Sequence, residues 1–383
     1  NTIRRPENVT SSTYSLDNYN EAMNMLSRVD KLINLAEEYK QKLPESLQAA
    51  YYQLIYYPAV AAANVNRIQI YSGLNQAYAK QKLSSANMYA SMLEEAISFD
   101  QELEQTYDKE MPGGVGNKWD GMMYQAKNAA HIGYPEWRPQ GAYPTPKYVE
   151  IPEESRMFVR LEGDSKAYES GTVDLQSFTN INNETYAVNI MNGGETSFEY
   201  KITTSADWIR LTKNDGTVSN QDTVGVHVDF SKLTADDTGK IIISGNGQTL
   251  EVNVTASVME TEGLDEKTFI EAHNYISIEA AHYTESRPAA NGAEWKEIKN
   301  YGRGLSSLKV FPCTGRFTGK EDAPYVEYTV KTAGTGRYTL MAWVAPSNNV
   351  DWDNVTMKYG VSVDGGEMQS VDTITEKYIA GTW

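Results

Sequence analysis

Residues 241–254 read IIISGNGQTLEVNV, and this stretch decides the fold of the middle of the chain. Isoleucines precede the turn, and Leu250, Val252 and Val254 alternate with polar residues after it. Between them, Gly245-Asn246-Gly247 supplies the residue types that accept the positive φ angles of a tight hairpin turn. The stretch therefore predicts a β-hairpin.

The same two-residue period extends in the N-terminal direction from this hairpin. Tyr186, Val188 and Ile190 alternate with polar neighbours, and residues 224–230 read VGVHVDF. Because successive strand residues point to opposite faces, His227 falls on the solvent face and is not expected to be catalytic. Residues 156–260 are therefore predicted to form an immunoglobulin-like β-sandwich.

A second all-β region is predicted over residues 264–383, after a short linker at 260–263. Val326, Tyr328 and Val330 alternate, and Val363 precedes the turn residues Asp364-Gly365-Gly366. We expect a second β-sandwich whose final strands lie beyond Trp383. We also expect both ends of the chain to lie inside a longer protein, since it begins at Asn1 without a methionine.

The first third of the chain has a helical period instead. Three sets of apolar residues recur at spacings of three, four and seven, which places each set on one helix face. The sets are Ala22, Leu26, Val29, Ile33 and Ala36; Leu47, Leu54, Ala61, Val65 and Ile68; and Ala86, Ala90, Leu93 and Ile97. They predict an antiparallel helical bundle over residues 1–134, with a kink or break at Pro58.

One tyrosine-rich stretch lies within this helical pattern, and one proline-rich stretch follows it. Tyr51, Tyr52, Tyr56 and Tyr57 fit either a sugar-binding platform or core filler, and their helical spacing favours the core. Residues 135–155 contain five prolines, a density that favours an extended strap between domains. The predicted fold class is thus a multidomain α + β chain: a helical bundle, a strap and two β-sandwiches.

Composition excludes several function classes. The 383 residues carry 51 acidic and 34 basic side chains, a net charge of −17, which argues against nucleic acid as a partner. The single cysteine, Cys313, can form no intrachain disulfide, and no apolar run is long enough to span a membrane. No metal-ligand spacing or phosphate loop is present, and we predict no metal and no cofactor. Residues 351–354, DWDN, could offer oxygens to calcium, but a solvated loop is favoured.

One local feature departs from the acidic average. Residues 285–320, here called the basic segment, hold seven lysines and arginines against three glutamates. They are Arg287, Lys296, Lys299, Arg303, Lys309, Arg316 and Lys320 against Glu285, Glu294 and Glu297. Arginine can hold a carboxylate with two hydrogen bonds, and Trp295 offers a face for a sugar ring. The alternatives, which together are favoured over a sugar site, are a solvated face and an interface with another domain.

Several stretches together resemble glycoside hydrolase family 115, the α-glucuronidases that remove (4-O-methyl)glucuronic acid from xylan. In residues 270–328 these are IEA at 270–272, ISIEA at 276–280, EWKEI at 294–298, YGRG at 301–304 and APYVEY at 323–328. The runs NKWD at 117–120 and HIGY at 131–134 resemble the family's helical domain. The run from Leu161 to Ile209 resembles its middle β-domain. Nearly the whole chain is covered, in the family's order.

The resemblance implies an accessory role. The family's catalytic barrel precedes these domains, so the chain corresponds to the C-terminal region of an inverting xylan α-1,2-glucuronidase. No catalytic residue is assigned, because no acid pair in this sequence is assignable, and the isolated chain is expected to be inactive. Implied partners are the barrel and a xylan-type glycan, with a homodimer as a further option. The implied location is periplasmic or extracellular.

Residues 303, 295 and 287 are the candidate substrate-binding positions. Arg303 and Trp295, with Arg287 as the weaker candidate, are predicted to lie on a loop that faces the glycan or the barrel rim. The alternative function is a carbohydrate-binding or surface-adhesion module without catalysis, since a β-sandwich alone does not fix a function.

Overall fold

The computed structural model describes residues 9–109, 119, 143–302, 304–313, 315–345 and 358–373. Contacts within the chain divide it into two compact units, Asn1–Met259 and Glu260–Trp383. Helices open the first unit and β-sheets follow in both, so the predicted α + β class is confirmed at that level. No helix among the described residues is long and apolar enough to cross a membrane.

The described residues of the helical region form four α-helices and one π-helix. They are α1 (Glu21–Lys42), α2 (Glu45–Tyr51), the π-helix (Tyr52–Tyr56), α3 (Tyr57–Ala79) and α4 (Ser84–Asp108). The buried residues of α1 are Ala22, Leu26, Val29, Ile33 and Ala36, as its sequence period predicts. Helix α3 packs against both α1 and α4, and it buries residues on almost every side. A helix buried all round belongs at the centre of its layer.

The second predicted helix face is wrong in its first half. Leu47 is 49% exposed and Leu54 is 70% exposed, whereas Tyr52 and Tyr56 are buried. The reason is the π-helix, which adds one residue to a turn and rotates the residues before it relative to those after it. It ends at Tyr56, two residues before Pro58, whose ring would otherwise clash with the carbonyl of Leu54 in a regular α-helix.

The four tyrosines of this region are core residues rather than a sugar platform. Tyr52, Tyr56 and Tyr57 are each no more than 3% exposed. The rings of Tyr52 and Tyr56 stack with centroids 5.1 Å apart, and the Tyr52 hydroxyl donates to the Leu103 carbonyl at 2.9 Å. Tyr51 is half-buried and donates to the Ala36 carbonyl at 2.9 Å. The interpretation favoured by helical spacing is therefore correct.

Eleven strands follow in the part of the first unit that the structure describes. They are β1 (Met157–Leu161), β2 (Ala167–Tyr168), β3 (Gly171–Asp174), β4 (Phe178–Thr179), β5 (Thr185–Asn192), β6 (Phe198–Thr204), β7 (Ile209–Leu211), β8 (Asp215–Val218), β9 (Gln221–Val228), β10 (Asp237–Gly245) and β11 (Gln248–Ser257). One sheet has the order β2-β1-β5-β9-β7. The other has the order β3-β11-β10-β6-β8, with β4 also paired to β11. Apolar residues from both sheets form one buried cluster.

The hairpin with which the sequence analysis began is confirmed. Strands β10 and β11 are antiparallel, and Gly245 pairs with Gln248 across the turn. The two turn residues, Asn246 and Gly247, have φ angles of 50° and 70°. His227 lies on β9 between buried Val226 and Val228 and is itself only partly buried, as the alternation predicts.

Asparagines on two helices hold the described part of the proline-rich stretch. Asn75 accepts from the Lys147 amide at 2.9 Å and donates to the Lys147 carbonyl at 2.8 Å. Asn87 makes the same pair of bonds with Val149, at 2.9 and 3.0 Å. In this extended segment, which has no ladder of its own, the backbone groups of Lys147 and Val149 are thus satisfied by side chains. Pro135 and Pro139 lie outside the described residues.

The described residues of the second unit form four two-stranded pairings. The strands are β12 (Phe269–Ile270), β13 (Glu285–Arg287), β14 (Glu294–Lys299), β15 (Ser306–Phe311), β16 (Tyr325–Glu327), β17 (Val330–Lys331), β18 (Lys358–Val361) and β19 (Gln369–Asp372). The pairs are β12 with β17, β13 with β16, β14 with β15, and β18 with β19. A turn with Asp364 and Gly365 at positive φ separates β18 from β19, where the sequence places a turn.

Candidate functional site

The basic segment folds around the hairpin of β14 and β15. Six residue pairs run from Glu294 opposite Phe311 to Lys299 opposite Ser306. The connection contains Asn300 and Gly302 with φ angles of 57° and 108°, which these residue types accept most readily. The Asn300 amide donates to the Leu305 carbonyl at 3.1 Å and closes the loop. Arg303 belongs to this loop in sequence and lies outside the described residues.

The hairpin has two chemically different faces. Lys296 and Lys309 are opposite each other, so their side chains share one face, and Trp295 and Val310 share the other. Like charges directly opposite repel, but two contacts offset the repulsion. Lys296 forms an ion pair with Glu294 at 2.9 Å, and the Lys309 ammonium lies 5.9 Å from the centroid of the Phe311 ring. This face is the positively charged one.

Trp295 is fixed by its indole N–H. Nε1 donates to the Pro324 carbonyl at 3.0 Å, and the side chain is half-buried. The donor is therefore already used within the protein, and only the exposed part of the ring remains for an apolar contact. Such a ring can stack against the C–H face of a sugar but cannot also donate to its hydroxyls through Nε1.

Arg287 lies on the neighbouring pair of strands. It is opposite Tyr325 in the β13–β16 register, and its guanidinium lies 5.2 Å from the centroid of the Tyr325 ring. Its ion pair with Glu285 is 3.6 Å long, and its side chain is 65% exposed, so the pair adds little to stability. The guanidinium remains open to a ligand on the side away from the ring.

The structure thus brings two of the three predicted residues to one segment. Trp295 contacts Pro324, and Arg287 contacts the next residue, Tyr325. Lys296 and Lys309 are on the hairpin face opposite Trp295. Another basic residue is engaged elsewhere, since the Lys320 ammonium donates to the Gly365 carbonyl at 3.4 Å. The surface formed by Arg287, Trp295 and Tyr325 is called the Trp295 surface below.

Sequence reasoning missed a buried carboxylate in the same unit. Glu271 is 8% exposed, and its Oε2 accepts from the Ala333 amide and from the Tyr338 hydroxyl, each at 2.8 Å. The hydrogen bond to Glu271 raises the pKa of Tyr338. Glu271 therefore ties the segment 333–338 to strand β12. The stretch 270–272 signalled its importance only through the resemblance, since nothing local reveals a partner more than 60 residues away.

No metal centre is found where the structure describes the chain. The described residues contain no group of three or more histidine, cysteine, aspartate or glutamate side chains that could hold an ion. Cys313 is exposed, and the loop at 351–354 that could offer oxygens to calcium lies outside the described residues.

The second unit matches a known family. Residues 268–383 match the glycosyl hydrolase family 115 C-terminal domain, and residues 168–258 match a domain described as the Viral BACON domain. No curated protein matches the chain.

Solved structures with some likeness have low TM-scores. A Bacteroides ovatus GH5 xyloglucanase in complex with a XXXG heptasaccharide is 19% identical over 28% of this chain and 20% of its own, with a TM-score of 0.21. The 4-O-methyl-α-glucuronidase BtGH115A, of family GH115 and with specificity for decorated arabinogalactans, is 13% identical over 64% of this chain, with a TM-score of 0.25. This chain covers 34% of that enzyme.

Proposed function

Because residues 268–383 match the glycosyl hydrolase family 115 C-terminal domain, we propose that the chain is the accessory region of a xylan α-1,2-(4-O-methyl)glucuronidase. The parent enzyme would hydrolyse glucuronic acid side chains from glucuronoxylan with inversion, in a periplasmic or extracellular setting. Its catalytic barrel would be the main partner. We also propose that the chain consists of an antiparallel helical bundle followed by two β-sandwiches. The single observation that carries it is the family match.

The Trp295 surface gives the proposal its chemistry. A uronic acid offers a carboxylate and a ring with an apolar C–H face. Arg287 has an exposed guanidinium beside the Tyr325 ring, and Trp295, which is bonded to the adjacent residue Pro324, leaves part of its side chain exposed. These groups are complementary to the two features of such a sugar. Arg303 is proposed to supply a second guanidinium. In this role the accessory region lends a surface to the substrate cleft.

The size of the expected effect depends on burial. A charge-assisted hydrogen bond in a dry site contributes about 1.5–3 kcal/mol, whereas an exposed ion pair contributes about 0–1 kcal/mol. Arg287 is 65% exposed in the free chain, so a large effect requires that glycan or barrel cover it. A loss of tenfold or more in kcat/KM would indicate that such cover exists.

The deciding experiment uses the full-length parent enzyme. Arg287→Ala and Arg303→Ala are made separately, and kcat/KM is measured on uronate-decorated xylo-oligosaccharides with melting temperature as the stability control. Arg210→Ala, in an exposed ion pair of the first unit, is the matched control. Lower kcat/KM at unchanged melting temperature supports a substrate role. Unchanged kcat/KM rejects it for that residue.

The second candidate is a carbohydrate-binding or surface-adhesion module. The partly exposed Trp295 ring would suit it, since such modules contact glycans through aromatic faces. The two functions differ in what the isolated chain does. Binding of decorated xylan by the isolated chain, measured by calorimetry, together with no effect of Arg287→Ala on a parent enzyme, would favour the module. A chain that binds no glycan alone favours the accessory role.

A further inference from the structure

A cleft of about 530 Å³ lies in the helical region, where side chains of three helices meet. Helix α1 supplies most of its lining, α3 supplies Tyr71, and α4 supplies Tyr89 and Met92. Its volume falls within the range of about 300–1,000 Å³ that is usual for small-molecule sites. The whole cleft belongs to the first unit and shares no residue with the Trp295 surface.

The buried part of the lining is apolar and aromatic. Leu26 and Tyr89 are buried, and Tyr71 and Met92 are half-buried. The ring centroids of Tyr71 and Tyr89 are 6.1 Å apart, and the Tyr89 hydroxyl accepts a hydrogen bond from the Gln221 side-chain amide at 2.9 Å. Because its hydroxyl is engaged in this way, the Tyr89 ring is held in place. These residues form an apolar floor, and Tyr71 is an aromatic ring of that floor that remains partly open to solvent.

The rim of the cleft carries polar side chains that the protein itself does not use. Ser27, Lys31 and Asn34 are exposed residues of α1, and their side chains make no hydrogen bond or ion pair in the described part of the chain. The hydroxyl of half-buried Tyr71 also lacks a hydrogen-bond partner among the described residues. Burial raises the pKa of Tyr71, so its phenol stays protonated and can donate. Unused donors and acceptors therefore surround the apolar floor.

Asp30 adds an oriented acceptor to the rim. Arg67 on α3 donates from Nε to Asp30 Oδ1 at 2.7 Å, and its Nη2 lies 2.6 Å from the same oxygen. Oδ2 makes no hydrogen bond to a described residue and stays available. With Lys31 in the lining and Glu95, whose charge reaches Tyr71, the cleft has two positive and two negative groups around it. This balance favours a neutral ligand over an ionised one.

We propose that this cleft binds a neutral pyranose unit of an oligosaccharide. Such a sugar has an apolar C–H face, which matches the ring of Tyr71 and the thioether of Met92. Its hydroxyls each donate and accept, so they match a rim that holds a carboxylate oxygen of Asp30, the amide of Asn34 and the hydroxyl of Ser27. The ligand differs from that of the Trp295 surface, where a carboxylate is the feature recognised. This inference does not rest on the proposed glucuronidase function, because every observation behind it lies in the first unit.

The open rim sets the expected affinity. Solvent competes for each exposed hydrogen bond and the sugar loses freedom on binding, so we expect a Kd of about 1 mM. Loss of one neutral hydrogen bond should raise that Kd about two- to tenfold. The contribution of a single rim side chain is therefore measurable.

Calorimetric titration of the 383-residue chain with xylohexaose and cellohexaose, two neutral oligosaccharides, provides the first test. Concentrations up to about 10 mM, about ten times the expected Kd, should detect binding of at least one of them. Asn34→Ala and Ser27→Ala should each raise its Kd about two- to tenfold at unchanged melting temperature. The control is Gln101→Ala, which removes an exposed amide nine residues after Met92 and so on the opposite side of α4. It should leave the Kd unchanged, and so should Trp295→Ala.

Methyl signals in nuclear magnetic resonance spectra provide the second test, which locates the bound sugar. Met23 and Met92 line the cleft, so their isotope-labelled methyl groups should shift on titration, with assignment by Met23→Leu and Met92→Leu. Met157, buried in the sandwich core, is the control and should not shift.

Four outcomes overturn the proposal. They are no binding of either oligosaccharide, a Kd unchanged in both rim variants, binding that leaves both cleft methyl groups unshifted, and binding that Trp295→Ala abolishes. The last of these would assign the neutral sugar to the Trp295 surface instead. None of them bears on the kcat/KM test of the proposed function, so the two proposals can fail separately.

Discussion

Arg160 on strand β1 and Asp17, which precedes α1, form an ion pair whose arginine side chain is 5% exposed. The same guanidinium donates to the Leu16 carbonyl at 3.1 Å and to the Tyr78 hydroxyl at 3.3 Å. One side chain therefore joins the segment before α1, the end of α3 and the first strand. The pair is a means by which the helical region and the first sheets act as one unit.

Removal of Asp17 should destabilise this unit. Asp17→Ala leaves the guanidinium buried without its charge partner, which is the costly way to break such a pair. Asp17 is itself 35% exposed, so solvent screens part of the loss, and we expect a decrease of about 1–3 kcal/mol in the free energy of unfolding. Urea unfolding followed by circular dichroism measures it.

The matched control is the pair of Arg210 and Asp229, at 3.0 Å. Its arginine is 46% exposed, so Asp229→Ala should cost no more than about 1 kcal/mol. Equal effects of the two substitutions would contradict the special role of Arg160.

The buried phenol of Tyr57 should lower the free energy of unfolding at high pH. Burial, followed by the charges of Glu104, Asp100 and Asp108, raises its pKa well above the usual value of about 10. The unfolded chain loses this proton near pH 10 while the folded chain keeps it. Stability is therefore full below pH 10 and falls as pH rises above it, by about 1.4 kcal/mol per pH unit for this one group.

Tyr57→Phe removes that proton with little change in shape. The slope of the unfolding free energy against pH, measured between pH 10 and 11 by urea unfolding, should become shallower by about 1.4 kcal/mol per pH unit, the contribution of one proton. Tyr148→Phe is the control, since Tyr148 is 54% exposed. A slope unchanged in Tyr57→Phe would mean that this phenol ionises freely in the folded protein.

Local periodicity predicted much of the fold, and its failure has a local cause. The buried row of α1 and the β10–β11 hairpin follow from spacing alone, because a regular helix or strand maps sequence distance onto faces. The row containing Leu47 and Leu54 failed because the π-helix at Tyr52–Tyr56 interrupts that mapping. Pro58 signalled an irregularity there but not its form.

The candidate site was less predictable because its contacts are distant in sequence. Charge counting found the basic segment, and strand pairing decides which of its side chains share a face. Trp295 bonds to Pro324, 29 residues away, and Arg160 bonds to Asp17, 143 residues away. No periodicity encodes such contacts. Only the tertiary fold can identify these partners.

Glu271 should hold the segment 333–338 in place. Its Oε2 accepts from both the Ala333 amide and the Tyr338 hydroxyl, so Glu271→Ala leaves a backbone amide without its acceptor. We expect a loss of about 1–3 kcal/mol and faster hydrogen exchange at the Ala333 amide. Glu285→Ala, at an exposed ion pair, is the control and should leave that exchange rate unchanged. An unaltered exchange rate of the Ala333 amide in Glu271→Ala would show that Glu271 does not hold the segment 333–338 in place.

Trp295 offers a final prediction that separates an anchoring role from a binding role. Trp295→Phe removes the 3.0 Å bond to the Pro324 carbonyl but keeps an aromatic ring, while Trp295→Ala removes both. Loss of the bond alone should cost about 1 kcal/mol of stability. If the ring contacts a sugar, Trp295→Phe should keep most of the kcat/KM of the parent enzyme on decorated xylan. Trp295→Ala should lower kcat/KM about 5- to 150-fold, the equivalent of about 1–3 kcal/mol of stacking.

The control is Tyr301→Ala. Tyr301 is an exposed aromatic residue on the hairpin loop, and its backbone carbonyl, rather than its ring, accepts a hydrogen bond from Ser307. Equal losses of activity in Trp295→Phe and Trp295→Ala, each matched by a lower melting temperature, would reduce Trp295 to an anchor for the Pro324–Tyr325 segment.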